Sequence, residues 1–240
     1  MRAFETEKTE VAEIDRSVYD IKDKVNAAFE VNSGLTAEIV EQISKEKHDP
    51  DWMREFRLKA LDIYNKASIP NWGPSLEGLD MRNIVTYVRP NTEMRGKWSE
   101  VPDDIKNTFE RLGIPQAERS SLAGVGAQYD SEVVYHNVKE EVAAQGVVYT
   151  DMESALTGPY ADMVKEHFMK CVPPTDHKFA ALHGAVWSGG SFVYVPAGVH
   201  VDIPLQSYFR LNAPGAGQFE HTLIIVDKGA YLHFIEGCSA

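Results

Sequence analysis

Two stretches near the end of the 240-residue sequence repeat one pattern at an offset of 31 residues. Each consists of a short β-type run, a turn that ends in glycine and a second β-type run, and the two copies are Val193–Val201 and Ile224–Leu232. A repeat period of about 20 to 50 residues is typical of solenoids, in which equivalent strands stack in parallel. The repeat leaves two architectures open, a β-helix and a closed jelly roll. Of these we favour the β-helix, which predicts that residues 193–195 pair with residues 224–226 in parallel register.

The density of charged residues falls sharply along the chain. Only eight of the last 70 residues are charged, whereas the first 170 residues hold the other 52 charges. Surface helices carry a charged outer face, so the shift predicts helices first and strands from about Leu182 onward. Helix starts and stops are predicted at Thr36, Pro50, Pro102 and Gly113. A further helix is predicted over residues 151–170, with a break at Gly158-Pro159.

The overall composition excludes several classes of protein. The net charge is −12, from 24 basic and 36 acidic residues, which is unfavourable for binding nucleic acid. No run approaches the roughly 18 apolar residues that a membrane span needs, so no membrane partner is expected. The N-terminal residues lack the apolar core of a secretory signal. Two cysteines, Cys171 and Cys238, provide no disulfide framework, and the cytoplasm is the expected compartment.

Motifs of common enzymes are absent from the sequence. It contains no phosphate-binding loop, no nucleophile elbow and no zinc-binding helix motif. Gly124-Val-Gly126 lacks the third glycine of a dinucleotide fingerprint and is interpreted as a turn before a strand at residues 132–135. His200 and Asp202 share one face of a strand and would be the ligands of an alternative, cupin-like metalloprotein, although the His-x-His pair of cupins is missing. Cys171 is interpreted as a small buried residue.

Cys238 has a different sequence context. It follows a predicted strand at residues 231–235 and the adjacent Gly237, so the thiol is expected to reach solvent or a ligand. His233 and Glu236 are close in sequence, and His221 is expected to be close in the fold. No Cys-x-x-Cys motif occurs, so a complete zinc or iron–sulfur ligand set is not local.

The orientation of Cys238 depends on the strand before it. Strand alternation puts Leu232 and Phe234 on one face, which we expect to be the interior. A continued strand would point Cys238 the same way. Gly237 is expected to let the backbone turn, which would release the thiol toward the rim.

Four blocks of sequence stand out together, in order along nearly the whole chain. They are Lys59–Gly73, Ser121–His136, Phe192–Val199 and Phe234–Ala240, the last of which contains Gly-Cys-Ser-Ala. Together they resemble the SufB branch of the SufB/SufD family of iron–sulfur cluster assembly scaffolds. No single block is specific, but their combination is.

The resemblance implies an α+β fold. A mainly helical N-terminal domain (residues 1–120) and a strand–helix connecting region (residues 121–181) would precede the start of a right-handed parallel β-helix (residues 182–240), truncated here. Family members are much longer, and this chain ends inside the Gly-Cys-Ser-Ala motif. It is therefore expected to be an N-terminal fragment or the product of an intein-interrupted gene, with a true short protein as the alternative.

The resemblance also implies a function, that of a non-enzymatic scaffold. It would accept sulfur from a cysteine desulfurase system together with iron, assemble a transient iron–sulfur cluster and pass it to apo-proteins. SufD and the ATPase SufC are the implied partners, and the SufC surface is expected beyond residue 240. Cys238 is the implied sulfur acceptor or iron ligand. A structural, SufD-like subunit without chemistry is a further alternative.

Overall fold

The computed structural model describes residues 27–73, 75–112 and 121–239. The first part of the described chain is mainly helical. Its helices are α1 (Ala37–Glu46), α2 (Asp51–Lys66) and α3 (Asp103–Arg111), with single 3-10 turns at Met81–Asn83 and Trp98–Glu100. Two short antiparallel strands, β1 (Ala27–Glu30) and β2 (Val88–Pro90), form a small sheet.

The later part of the chain alternates strands with short helices and then becomes all strand. The strands of this part are β3 (Gly124–Tyr129), β4 (Glu132–Val138), β5 (Val148–Asp151), β6 (Ser191–Val195), β7 (His200–Arg210), β8 (Leu223–Val226) and β9 (Tyr231–Ser239). The helices are α4 (Glu140–Ala143), α5 (Met152–Thr157), α6 (Ala161–His167) and α7 (Lys178–Val186). No helix in the described ranges is long and apolar enough to cross a membrane.

The helix predictions rest on caps and apolar spacing, and most are confirmed. The Thr36 hydroxyl accepts the backbone N–H of Ile39 at 3.3 Å, and α1 buries one apolar face. Helix α2 begins directly after Pro50, and α3 begins directly after Pro102. The helix expected over residues 151–170 is split at Gly158 into α5 and α6. Gly113 lies outside the described residues.

Seven of the strands form two larger sheets. The order β4-β3-β7-β9 defines a four-stranded sheet, in which β3, β7 and β9 are parallel and β4 is antiparallel. The order β5-β6-β8 defines a three-stranded sheet, in which β6 and β8 are parallel and β5 is antiparallel. Tyr149 of β5 donates a hydrogen bond to the carbonyl of Gln206 in β7 at 2.7 Å. The two sheets therefore pack on one another, with an apolar cluster between them that includes Val193, Val195 and Leu205.

The predicted pairing at the 31-residue offset is confirmed, because Val193 lies opposite Ile224 and Val195 opposite Val226 in parallel register. The prediction of a right-handed parallel β-helix is wrong. The fold is mixed α/β, and the described strands form several sheets, none of which closes or coils into a solenoid. The repeat accounts for only one parallel strand pair in each larger sheet, β6 with β8 and β7 with β9. The other neighbours of β6 and β7 are β5 and β3, which come from outside the repeat.

Two smaller interpretations also need correction. Gly124 and Gly126 belong to the buried strand β3 and not to a turn. Glycine is needed at both positions because the Tyr149 side chain occupies the space that a larger side chain would fill. A Cβ atom would lie 2.8 Å from Tyr149 at either glycine. The segment from Leu182 to Val186 was expected to begin the strand region, but it completes α7. This helix is buried on most sides, so it lacks the polar face that helical periodicity needs.

Two buried ionic groups attach the helices to the rest of the fold. Arg57 of α2 pairs with Asp49 and donates to the carbonyl of Trp187 at 2.8 Å. Lys47 lies 2.8 Å from Glu132 and 2.7 Å from Glu153. Burial alone would lower the pKa of Lys47, but the two carboxylates outweigh it and raise that pKa.

Candidate functional site

Cys238 lies near the end of β9, the outer strand of the four-stranded sheet. It pairs in parallel register with Phe209 of β7, and its side chain is exposed. Phe209 is buried, so the thiol stands beside an apolar side chain on the same face of the sheet. The sequence prediction that Cys238 reaches solvent is confirmed.

The face of β9 that carries Cys238 also carries Phe234 and Glu236, because side chains alternate along a strand. Phe234 packs against the apolar cluster between the two larger sheets, and its ring lies 6.2 Å from that of Tyr149. Leu232 packs against the same cluster, which confirms the prediction for both residues. The thiol therefore points toward the three-stranded sheet, at the edge of the space between the sheets.

Gly237 does not turn the backbone as expected. The strand continues through it to Ser239, and Gly237 lies opposite Tyr208. A Cβ atom at position 237 would lie 2.9 Å from the Tyr208 ring. Glycine is needed at position 237 because the Tyr208 ring packs directly against its Cα atom and leaves no room for a side chain. Since the strand does not turn there, the thiol of Cys238 keeps the direction set by strand alternation.

Arg210 holds the strand end beside Cys238. Its side chain is completely buried, and Nη1 donates to the Ser239 hydroxyl at 3.2 Å. The backbone N–H of Leu211 donates to the Ser239 carbonyl at 2.9 Å. The residue next to Cys238 is therefore fixed through both its side chain and its backbone.

Asp130 fixes the corner that follows Arg210. Its Oδ1 accepts the backbone N–H groups of Asn212 at 2.7 Å and Ala213 at 2.8 Å, and its own N–H donates to the Arg210 carbonyl at 2.8 Å. Asp130 has a φ of 53°, in the left-handed region that Asp and Asn tolerate better than most residues. A buried carboxylate thus organises the turn beside the thiol-bearing strand.

Two carboxylates lie in the same part of the molecule. Glu236 accepts a hydrogen bond from the Thr222 hydroxyl at 2.9 Å. Burial raises the pKa of Glu220, and the negative charge of Glu236 raises it further. Within the described ranges, however, no three His, Cys, Asp or Glu side chains are arranged to hold a metal ion. Cys238 can act here as a single nucleophile or a single ligand.

The other sequence candidates do not join Cys238 in a ligand group of three among the described residues. His221 lies against His183, with Nδ1 2.8 Å from the His183 Nε2 atom, and His233 is exposed on β9. His200 and Asp202 are exposed on β7, and His200 Nε2 lies 3.2 Å from the carbonyl of Gly229. That pair has no third ligand among the described residues, so the cupin-like alternative has no structural support.

Cys171 is exposed in the loop after α6, so its interpretation as a buried residue was wrong. The loop follows Met169, whose φ is 48°, and this turn directs the next residues to the surface.

Sequence reasoning missed Arg210 and Asp130. Arg210 had a usable signal, since it is one of only three basic residues in the last 70 and lies inside an apolar strand. Asp130 lies in the block Ser121–His136, but its partner Asn212 is more than 80 positions away in sequence. The contact is therefore visible only in the folded structure.

The fold and site together define a class of protein: mixed sheets that carry one exposed thiol on an outer strand, without a complete metal centre among the described residues. The sequence model of the family described as SufBD protein N-terminal region matches residues 37–207. The chain belongs to the SufB/SufD family.

Similar proteins carry names from iron–sulfur cluster assembly. The iron–sulfur cluster assembly protein SufB of Bacillus subtilis is 54% identical over 222 residues, which is 92% of this chain and 48% of that protein. A SufBD family protein of Mycobacterium bovis is 49% identical over 234 residues, 97% of this chain and 28% of its own length. A Staphylococcus haemolyticus relative is 50% identical over 222 residues, again 48% of its length. The chain thus spans about half or less of these relatives.

Proposed function

We propose that this chain is the N-terminal part of a scaffold on which iron–sulfur clusters are assembled, and that Cys238 receives sulfur or ligates iron there. The names of its relatives support a role in iron–sulfur cluster assembly. The observation that carries the residue assignment is the exposed thiol of Cys238 on an outer strand, beside the end of β7 that Arg210 and Asp130 hold in place.

Sulfur transfer to Cys238 needs only a persulfide donor. The Cys238 thiolate attacks the outer sulfur of a persulfide on the desulfurase system. A new sulfur–sulfur bond forms at Cys238, the donor's bond breaks, and the donor thiolate leaves with the electron pair. The step consumes no oxidant or reductant. An exposed thiol allows the in-line approach of a second protein that this exchange requires.

Iron is the second cargo in this proposal. A single thiolate cannot complete an iron coordination sphere, and the described residues hold no three-ligand group. The other ligands therefore come from SufD or from a part of the scaffold outside the described residues. The assembled cluster is transient and passes to apo-proteins, and the scaffold itself catalyses no reaction.

The decisive experiment compares the two cysteines in the complete scaffold. Sulfur from a cysteine desulfurase system and ferrous iron are loaded onto the wild type, Cys238→Ala and the matched control Cys171→Ala. We expect Cys238→Ala to abolish the cluster absorbance with little change in the thermal melt, and Cys171→Ala to retain it. Normal clusters on Cys238→Ala would overturn the assignment, and a collapsed melt would make Cys238 a packing residue.

The same experiment tests the rival, a structural SufD-like subunit without chemistry. That rival predicts equal cluster yields from all three proteins. The Gly-Cys-Ser-Ala motif favours the scaffold, because its cysteine is exposed and not buried in a core.

We further propose that the complete scaffold pairs with SufD and the ATPase SufC in the cytoplasm. Residues 1–240 alone are expected not to capture SufC, because the family resemblance assigns that surface to a later part of the protein. A pull-down with stoichiometric capture of SufC by this chain would contradict that assignment.

A further inference from the structure

A cavity of about 380 Å³ lies between the loop after α6, helix α7 and the start of β8, and Cys238 is not among its lining residues. Its floor includes Met169 and Ala180, which are 8% and 5% exposed. Its rim includes the exposed residues Lys170, Cys171 and Val172. The volume is at the lower end of the roughly 300–1,000 Å³ typical of small-molecule sites.

Four histidines line the cavity among mainly apolar side chains, and two of them, His183 and His221, are paired with each other. His183 Nε2 and His221 Nδ1 share one hydrogen bond of 2.8 Å. Burial lowers the pKa of His183 to about 4 and that of His221 to about 3, so both rings are neutral at pH 7. A neutral pair that shares one proton leaves one outer nitrogen as a donor and the other as an acceptor. Neither outer nitrogen has a hydrogen-bond partner within the described residues.

The charges around the cavity favour an anion at its mouth. Lys170 lies on the rim, and its ammonium group makes no ion pair within the described residues. No Asp or Glu lines the cavity. Among the described contacts of its walls, two carboxylates approach lining side chains: Asp176 lies 3.9 Å from His177 Nε2, and Glu236 accepts the Thr222 hydroxyl at 2.9 Å. Neither of them contacts Lys170.

The shape of the lining favours a ligand with a ring. His177, Phe179, His183 and His221 all present flat side chains to the cavity. Aromatic and imidazole rings pack well against other rings in offset or edge-to-face arrangements.

We propose that this cavity binds a small organic acid with a ring-containing apolar body, whose anionic group lies against Lys170 and whose body reaches the His183–His221 pair. The site is separate from the sulfur chemistry proposed for Cys238, and neither depends on the other. Apolar contact provides most of the binding, because water screens an exposed charge pair and leaves it a small contribution.

A matched pair of fluorescent probes tests the proposal on the intact chain. The probes are 8-anilino-1-naphthalenesulfonate and N-phenyl-1-naphthylamine, which share one body and differ by the sulfonate. Both are expected to bind saturably at one site. Lys170→Gln should weaken the sulfonate probe about two- to five-fold and leave the neutral probe unchanged. The exposed Lys59→Gln is the control and should change neither.

Filling the cavity separates this site from nonspecific binding. Ala180→Trp places a large side chain in the cavity and should weaken both probes at least tenfold. Unchanged probe binding by this variant, no saturable binding by the wild type, or equal loss of both probes in Lys170→Gln would overturn the proposal.

A thiol readout decides the question if Ala180→Trp does not fold. In a Cys238→Ser background the rim residue Cys171 is the single thiol of the chain. Saturating sulfonate probe should slow alkylation of Cys171 several-fold, at the concentration that saturates fluorescence. An unchanged alkylation rate would contradict the site.

Discussion

Arg57 and Asp49 form an ion pair from which solvent is fully excluded, with Arg57 Nε 2.6 Å from Asp49 Oδ2 and both side chains 0% exposed. Removal of one partner leaves an uncompensated buried charge, which typically costs about 3–5 kcal/mol. Arg57→Ala is therefore expected to lower the free energy of unfolding by roughly that amount, measured by urea denaturation at pH 7.

The matched control lies on the same helix. Arg54 pairs with Glu41 at the surface, where water screens the charges, so Arg54→Ala should cause only a small loss of stability. Similar losses in the two variants would show that Arg57 acts through general helix packing and not through its buried charge.

The His183–His221 pair predicts a dependence of stability on pH. Burial, assisted by the charge of Arg57, lowers both pKa values below the ordinary 6.5, to about 4 and about 3. The unfolded chain therefore binds protons first as the pH falls. The pair's contribution is fully present above about pH 6.5 and is lost progressively toward pH 4 and pH 3.

Urea denaturation at pH 7 and pH 5 checks this prediction. The wild type should lose roughly 3–4 kcal/mol more between these values than the variant with both His183→Gln and His221→Gln, because each histidine contributes about 2 kcal/mol. His136, whose pKa burial also lowers to about 4, acts in the same direction and is present in both proteins. His233→Gln, at an exposed site, is the control. Identical pH slopes in the wild type and the double variant would refute the assignment.

Gly237→Ala tests the close contact next to Cys238. The added methyl group would meet the Tyr208 ring at 2.9 Å, and overpacking of this kind costs about 1–3 kcal/mol. Gly96→Ala is the matched control, because nothing lies within 4 Å of its Cβ position and its φ is not positive. Thermal melts of the two variants give the comparison. A Gly237→Ala protein as stable as Gly96→Ala would mean that the ring moves aside without cost.

Asp130 is predicted to support cluster assembly by positioning. Asp130→Ala removes the acceptor for two backbone N–H groups, at a cost of roughly 1–3 kcal/mol, and loosens the corner beside Arg210. Cluster yield in the complete scaffold should fall. Asp130→Asn keeps an oxygen acceptor and tolerates the positive φ, so it should restore most of the yield. A yield that simply follows the melting temperature in both variants would indicate a purely structural role.

Local features of the sequence were sufficient for much of the secondary structure. Thr36, Pro50 and Gly158 mark helix boundaries through the hydrogen bonds and backbone angles that they allow. The 31-residue repeat gave the correct pairing of β6 with β8. These predictions succeed because the determining residues are neighbours in sequence or members of one repeat.

The sheet arrangement and the surroundings of Cys238 depend on residues that are far apart in sequence. The position of β3 beside β7, and of Asp130 beside Asn212, is set by packing between segments and leaves no periodic signal. The burial of Arg57 likewise depends on Asp49 and Trp187 together, and Trp187 lies 130 positions away in sequence. Two copies of a repeat indicate which of their own strands pair, but they carry no information on the neighbouring strands β3 and β5.

The central position of β3 has a consequence for synthesis on the ribosome. Its first neighbour, β4, follows within a few residues, but its second neighbour, β7, lies about 80 residues later in the chain. At typical translation rates of about 5–20 residues per second, one edge of β3 waits roughly 4–16 s for its partner. During that interval the backbone groups along that edge of β3 stay unpaired, which leaves the nascent chain open to misassociation until β7 has been made.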